Sequence, residues 1–272
     1  MPPPCWLSIE RSDSPLILAF PHGGSDVPPE MEARLASGWL ARKDADWRIA
    51  ELYAGLADAT RIKTSVSRSV IDVNRDPSGA SLYPGQATTG LCPLTTFDGE
   101  PLYQEGEEPG ETEIVDRRQT WFDPYHEALA AEIARLRRIH NCVVLYDCHS
   151  IRSRIPRLFT GDLPEMNIGS NGGASASPAL TAIIEKECAA SGRSYIVNGR
   201  FRGGWTTRHY GRPESGVHAV QMELSCRAYL DEPLDGVCEE NWPAPFEPAR
   251  AEPLRRTLAT ILAAAINFAR KA

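Results

Sequence analysis

The stretch VLYDCHSIRSRIP, residues 144 to 156, joins an apolar run to a dense group of polar and charged side chains. Its first half belongs to CVVLYD (142–147), which is typical of a central strand of a sheet. Asp147, His149 and a cluster of arginines follow directly. In open α/β sheets, ligands bind beyond the carboxyl ends of the strands. The stretch therefore predicts both a buried sheet and a functional site at one edge of it.

Similar apolar runs recur along the chain and alternate with helical segments. PLILAF (15–20) and VHAVQMEL (217–224) indicate strands, whereas residues 178–191 and 252–270 indicate helices. Further predicted segments are helices at 46–58 and 113–139, a strand at 69–74, and irregular stretches at 76–112, 161–177 and 201–216. This alternation predicts an α/β fold. We expect a single domain over residues 1–272, with a mostly parallel or mixed twisted sheet and helices on both faces.

Composition narrows the possible functions. The net charge of −7 argues against a nucleic-acid partner, because phosphate binding favours a basic face. Seven cysteines without a CxxC pattern argue against a disulfide framework or a thiolate zinc site. No apolar run approaches the length of a membrane span, and MPPPCWLSIERSDSP does not look like a signal peptide. We therefore expect a cytoplasmic protein that does not bind membranes.

Three of the predicted strands carry conspicuous polar groups at or near their carboxyl ends. His22 and Asp26 follow the first strand, His149 follows Asp147, and Glu223 lies in the last strand. Two histidines and a carboxylate that meet there would form a three-ligand zinc site with an open fourth position. Histidines that only cap strands or turns are the alternative. Asp147 shares a strand face with His149, so it is either a ligand or the carboxylate that orients a ligating histidine.

Glu223 lies in an otherwise apolar strand. A buried carboxylate without a partner is unfavourable, so Glu223 is either salt-bridged or kept as a general base with a shifted pKa. Strand alternation places Gln221 on the same face and His218 on the opposite one. His218 is accordingly expected to lie in the core and outside the site.

Arginines cluster beside these strand ends. Arg75 follows Asn74 in DVNRDP, and the remainder fall in two loop stretches: Arg152, Arg154 and Arg157, then Arg202, Arg208 and Arg212. Such residues usually only solvate a loop. Next to a metal site, however, guanidinium groups match carboxylates with two parallel hydrogen bonds. The pattern indicates a small anionic substrate with more than one carboxylate.

Several blocks of the sequence together resemble the N-formylglutamate amidohydrolase family. They lie between about residues 18 and 230: PHGGSDVPPEM, DADWRIAELY, RSVIDVNRDPSG, LCPLTTFDGEPLY, LYDCHSIRSRIP, LPEMNIGSNGGASASPAL and RGGWTTRHYGRPESGVHAVQMELSCRAYL. The TTFDGEPLY segment looks like the deformylase branch that acts in histidine degradation. The family is similar in turn to zinc carboxypeptidases and aspartoacylases. The resemblance therefore implies a phosphorylase/hydrolase-like fold of the zinc-carboxypeptidase type and one zinc ion.

The resemblance also implies roles for individual residues. His22 matches the first metal ligand and His149 the last. The related enzymes have a glutamate three residues after the first histidine, but Ser25 stands there in this chain. Asp26 is therefore the expected third ligand, with Asp44 or Asp46 as alternatives.

The remaining roles concern the substrate and the reaction. DVNRD resembles the DLNR motif of aspartoacylases, so Asn74 and Arg75 are expected to bind a substrate carboxylate. Glu223 corresponds to the general base, and Arg208 is the expected donor to the oxyanion. Arg202 and Arg212 are further candidates for substrate binding.

The implied activity is hydrolysis of N-formyl-L-glutamate to formate and L-glutamate by a zinc-activated water. One alternative is a zinc-dependent amidohydrolase or carboxypeptidase-like enzyme that acts on another N-acyl amino acid. The other is a non-catalytic protein that binds acidic metabolites on the same fold.

Overall fold

The computed structural model describes residues 3–233 and 235–272. Its centre is one seven-stranded mixed sheet with the strand order β1-β3-β2-β4-β7-β5-β6. The strands are β1 (Leu7–Glu10), β2 (Leu16–Phe20), β3 (Thr60–Thr64), β4 (Val143–Ile151), β5 (Met166–Gly169), β6 (Tyr195–Val197) and β7 (Val217–Ser225). β1 runs antiparallel to β3, and β5 runs antiparallel to β7, whereas the other neighbouring pairs are parallel.

Helices cover both faces of this sheet. They are α1 (Pro29–Glu32), α2 (Leu40–Lys43), α3 (Ile49–Leu52), α4 (Glu111–Arg117), α5 (Asp123–Arg137), α6 (Pro178–Ala190), α7 (Trp205–Tyr210) and α8 (Pro248–Lys271). Apolar side chains of α3, α6 and α8 pack on one face, and those of α5 pack on the other. The predicted α/β architecture with helices on both faces is confirmed, and the sheet is mixed. Among the described helices, none has the length and apolar character needed to cross a membrane.

Local structure departs from the sequence-based prediction in the irregular segments. Residues 69–74 form turns instead of a strand, and only Ile49–Leu52 of the predicted 46–58 helix is helical. The predicted loops at 161–177 and 201–216 contain β5 and α7. The error at 69–74 has a simple cause, since Val70, Ile71 and Val73 are buried against the sheet without pairing to a strand. An alternating pattern of apolar residues indicates that they are buried, but it does not show that the segment pairs with a strand.

The parallel strands β2, β4 and β7 determine where the site lies. They are neighbours in the sheet, so their carboxyl ends lie at the same edge. His149 pairs in register with Glu223, and Asp147 pairs with Gln221. His22 follows the end of β2 by two residues. The fold therefore brings together groups that are separated by about two hundred positions in the chain.

Candidate metal centre and substrate cavity

His22, Asp46 and His149 form a compact buried group at this edge of the sheet. One potential ligand atom from each lies within 4.8 Å of the other two. Asp46 is held in place by two backbone contacts. Its own N–H donates to the carbonyl of His22 (2.9 Å), and its Oδ2 accepts from the N–H of Ser150 (2.9 Å). The chain thus fixes this carboxylate between the two histidines.

Both histidines are oriented by a second carboxylate on the far side of the ring. His22 Nε2 lies 2.6 Å from Asp72 Oδ1, and His149 Nε2 lies 3.0 Å from Asp147 Oδ2. The Nε2–H groups therefore donate outward, and the Nδ1 atoms point toward Asp46, at 3.9 Å for His22 and 3.2 Å for His149. This use of an outer carboxylate is usual for histidines that bind metals.

The donor set fits a divalent cation. His22 Nδ1 is buried and has no hydrogen-bond partner among the described residues. Buried polar atoms without a partner are unfavourable, which is a reason to expect that something binds there. Two imidazole nitrogens and one carboxylate are also the ligand set of many catalytic zinc sites.

The protonation of the two histidines differs. Burial and the neighbouring Arg68 lower the pKa of His22 to about 4, so its ring is neutral at neutral pH. Burial also opposes a charge on His149, but the Asp147 and Asp46 carboxylates raise the pKa of His149 well above its usual value. A metal ligand must be unprotonated at the ligating nitrogen, so cation binding at His149 is coupled to release of a proton.

Asp26, the expected third ligand, lies outside this group. Its backbone pairs with Ser65 and Ser67, and its side chain is exposed in a separate surface cleft. Asp44 is not a member either, because it accepts from Arg152 and from the N–H of Phe97. Asp46 occupies the position between the histidines, so the structure favours this alternative over Asp26.

Two further residues of the site were not identified from the sequence. Asp72 accepts from His22, and Arg68 donates to Asp72 Oδ2 (2.7 Å) while lying 3.4 Å from Asp46 Oδ1. Arg68 therefore ties together the two carboxylates that flank His22. Asp72 shares DVNRD with Asn74 two positions later, which was the available signal.

Asn74 and Arg75 line the cavity, but most of their polar atoms are already engaged. Asn74 Oδ1 accepts from the N–H of Thr206 (2.8 Å), and its Nδ2 donates to Oδ2 of Asp147 (3.3 Å), the carboxylate that orients His149. Arg75 donates twice to Thr89 (3.0 Å each) and lies 3.5 Å from Asp72. Asn74 accordingly supports His149 through Asp147, whereas the guanidinium of Arg75 lines the cavity with its charge partly compensated by Asp72.

Glu223 faces the same cavity. Gln221 Nε2 donates to Glu223 Oε2 (2.8 Å), and Gln221 Oε1 accepts from the N–H of Gly204 (2.7 Å). Burial raises the pKa of Glu223 to about 7, against the effect of the nearby His149. Among the described residues no cation lies within salt-bridge distance of Glu223. This environment matches a proton acceptor better than a structural ion pair.

The cavity beside this group is lined by charged, polar, aromatic and aliphatic residues: His22, Arg68, Asn74, Arg75, Tyr83, Phe97, His149, Ile151, Leu158, Arg200, Phe201, Gln221 and Glu223, with Ala87, Thr88, Thr89 and Gly204. Tyr83, Ala87, Thr88 and Thr89 belong to the long irregular stretch at 76–112. The arrangement can hold a small anion next to a metal ion and a general base.

The structure does not bring three of the predicted arginines into this lining. Arg202 and Arg212 are exposed, and Arg208 donates to the carbonyl of Gly203 (2.8 Å) while stacking on Tyr83. Of the three, only Arg208 lies in α7, which forms within the predicted loop, whereas Arg202 precedes this helix and Arg212 follows it. Arg200, which lies just before the predicted loop at 201–216, is in the lining instead.

His218 lies on the opposite face of β7, as expected from strand alternation. Its Nδ1 accepts from the N–H of Ser177 (3.1 Å), and its ring packs edge-on against Phe268.

Two histidines, a carboxylate and a buried glutamate lie together at the carboxyl ends of the strands of this α/β sheet. Hydrolases that use a single catalytic metal carry the same kinds of group at such a sheet edge. The model of the family described as N-formylglutamate amidohydrolase matches residues 14–230. The chain belongs to this family, and the resemblance found in its sequence is confirmed.

Individual relatives agree with this assignment. The chain is 46% identical to the N-formylglutamate deformylase of Pseudomonas aeruginosa over 229 residues, which covers 83% of this chain and 86% of that protein. It is 43% identical to the N-formylglutamate deformylase of Pseudomonas putida over 230 residues, with 83% and 85% covered. The crystal structure of N-formylglutamate amidohydrolase from Ralstonia eutropha JMP134 superposes with a TM-score of 0.75 at 20% identity, covering 97% of this chain and 98% of that one. At this identity the structural match supports the fold alone.

Proposed function

We propose that the protein hydrolyses N-formyl-L-glutamate to formate and L-glutamate, as a step in histidine degradation. The observation that carries the proposal is the position of Glu223, in register with His149 and facing the His22–Asp46–His149 group across one cavity. The names of the two Pseudomonas relatives supply the substrate.

We propose zinc as the bound metal. His22 and His149 would hold it through Nδ1, and Asp46 through a carboxylate oxygen, because these atoms converge and their opposite sides are already hydrogen-bonded. A bound zinc ion supplies Lewis acidity, which lowers the pKa of water and polarises a carbonyl group. Asp72 and Asp147 keep the two imidazole rings in the tautomer that presents Nδ1.

Glu223 acts as the general base and then as the general acid. Its pKa of about 7 allows it to accept a proton from the attacking water and to return the proton to the leaving amine. Gln221 holds the carboxylate in one orientation through the 2.8 Å hydrogen bond. The proton therefore moves between two defined positions, the water oxygen and the amide nitrogen.

The cavity wall binds and shields the substrate. Arg75 is our candidate for the α-carboxylate, since it adjoins Asn74 and therefore lies near the metal-binding group. Phe97, Ile151, Leu158 and Phe201 provide apolar surface around the methylene groups of the substrate. Exclusion of bulk water strengthens each of the charged contacts.

The test is formate release from N-formyl-L-glutamate, measured with zinc-loaded protein and with protein stripped by a chelator. We expect turnover only in the loaded form, with activity restored when zinc is added back. N-acetyl-L-glutamate and glutamyl peptides form the comparison panel. Faster turnover of any of these would reassign the substrate, and ligand binding without turnover in zinc-loaded protein would refute the enzymatic function.

A further inference from the structure

The arginines that line the cavity are not equivalent. Arg68 pairs with Asp72 at 2.7 Å, and Arg75 lies 3.5 Å from the same carboxylate. Arg200 has no carboxylate within salt-bridge distance among the described residues, although it is partly buried and lines the same cavity. It is therefore the guanidinium of the lining whose charge this chain leaves uncompensated.

The position of Arg200 is nevertheless well defined. Its Nε donates to the carbonyl of Leu158 (3.0 Å), and its Nη2 donates to the carbonyl of Ala87 (2.7 Å). The aromatic rings of Tyr83 and Phe201 lie 5.3 and 5.4 Å from its guanidinium carbon. Such aromatic contacts hold a guanidinium without neutralising it.

Donor capacity remains on this side chain. A guanidinium carries five N–H groups. Only Nε and Nη2 of Arg200 make hydrogen bonds to the described residues, and Nη1 makes none. Burial and the charge of Arg75 lower the pKa of Arg200, so an anion placed beside it would remove an unfavourable interaction. Nη1 and the second hydrogen of Nη2 can together bind one carboxylate.

We infer that Arg200 binds the side-chain carboxylate of the substrate and is the residue that selects glutamate over glutamine, an inference that rests on the proposed function. The order of atoms in the substrate supports the assignment. The α-carboxylate is bonded to the carbon that carries the scissile amide, so its cation must lie close to the metal-binding group, as Arg75 does. The side-chain carboxylate lies two methylene groups further away, and Arg200 makes no bond to any member of the metal-binding group.

The experiment measures kcat/KM for N-formyl-L-glutamate and N-formyl-L-glutamine in wild type and in variants. Wild type should prefer the glutamate derivative. In Arg200→Gln we expect the ratio of the two kcat/KM values to fall about 10- to 100-fold, through loss on N-formyl-L-glutamate alone. Arg200→Lys keeps the positive charge but loses the paired N–H groups of the guanidinium. The ratio of its two kcat/KM values should therefore lie between those of wild type and Arg200→Gln.

Matched variants separate this role from others. Arg202→Gln and Arg208→Gln remove the same charge from neighbouring positions, and Arg138→Gln removes it from the exposed end of α5. These three should keep the wild-type ratio. A fall of equal size for both substrates in Arg200→Gln would mean that Arg200 only supports the wall through Ala87. An equal fall for both substrates would therefore overturn the inference, and so would an unchanged ratio in Arg200→Gln. A large fall of the ratio in Arg202→Gln or Arg208→Gln would overturn it as well.

A binding measurement keeps this inference separate from the reaction itself. Calorimetry with L-glutamate and L-glutamine needs no turnover. Preference for L-glutamate in wild type, lost in Arg200→Gln, would support the role of Arg200 even if N-formyl-L-glutamate proved not to be hydrolysed. Equal preference in the two proteins would refute it, whatever the enzyme hydrolyses.

Discussion

Glu223 is buried, lacks a cation within salt-bridge distance among the described residues, and is held by the amide of Gln221. If it is the general base, Glu223→Gln keeps its shape but cannot accept a proton. We expect kcat for formate release to fall by about 10² to 10⁴, with the fold and the metal content unchanged. Steady-state kinetics together with metal analysis of the purified variant make this test.

Glu232 supplies the matched control for that variant. It is also a buried carboxyl group, and it accepts from the N–H of Ser153 (2.7 Å) outside the cavity lining. Glu232→Gln should lower stability more than kcat. If Glu223→Gln instead unfolds while its folded fraction keeps near-normal activity, then Glu223 has a structural role.

The choice between Asp46 and Asp26 is open to a direct test of metal content. Asp46→Asn removes a charge from between two histidines, so we expect the purified variant to lose its zinc and its activity together. Asp26→Asn alters an exposed side chain with no contact to the histidines, so zinc stoichiometry should remain that of wild type. Retention of zinc by Asp46→Asn with loss from Asp26→Asn would restore Asp26 as the ligand.

At the scale of single residues, the sequence predicts what depends on local periodicity. The pairs Asp147 with His149 and Gln221 with Glu223 follow from strand alternation, and both pairs are in contact in the structure. Asp46 and Asp72 approach the site from irregular segments. Their positions depend on how distant parts of the chain pack, which no local pattern encodes.

Among the secondary-structure elements, α7 depends on a close approach at its first turn. Gly204 precedes α7, and a Cβ added there would overlap the buried amide of Asn74. Asn74 is fixed by its bond to the N–H of Thr206, so Gly204→Ala should displace either Asn74 or α7. Because small displacements at a catalytic site are costly, we expect kcat/KM to fall by at least about tenfold.

Gly110→Ala is the control for that substitution. Gly110 precedes α4 with a φ of −78°, and an added Cβ would meet nothing within 4 Å. Its activity should equal that of wild type. Equal kcat/KM in Gly204→Ala and wild type would show that Asn74 can move without consequence for the reaction.

The predicted elements differ in accuracy for a physical reason. Residues 178–190 and 248–271 form helices close to the predicted ranges, because their apolar faces repeat with helical period over several turns. β5 was not predicted from the sequence, because Met166–Gly169 is only four residues long and lies between loops. Short elements carry too little periodicity to be distinguished from buried loops.

For the whole molecule, the free energy of unfolding at acidic pH depends on buried histidines that stay neutral in the folded protein. Burial lowers the pKa of His126 to about 4, and its Nε2–H donates to the carbonyl of Val73 (2.7 Å). In the unfolded chain the pKa of histidine is about 6.5. Between these two values the unfolded state binds more protons, so stability decreases as the pH falls from about 6.5 to about 4. A difference of this size corresponds to about 3 kcal/mol.

We therefore expect His126→Gln to flatten the pH dependence of unfolding. The free energy of unfolding of wild type, from urea titrations, should fall by about 3 kcal/mol more than that of the variant between pH 7 and pH 4. Both proteins are compared with the same metal content, because His22 also titrates in this range when no cation is bound. Parallel pH profiles for wild type and His126→Gln would show that His126 remains accessible to protons in the folded protein, since only then would its pKa be the same in both states.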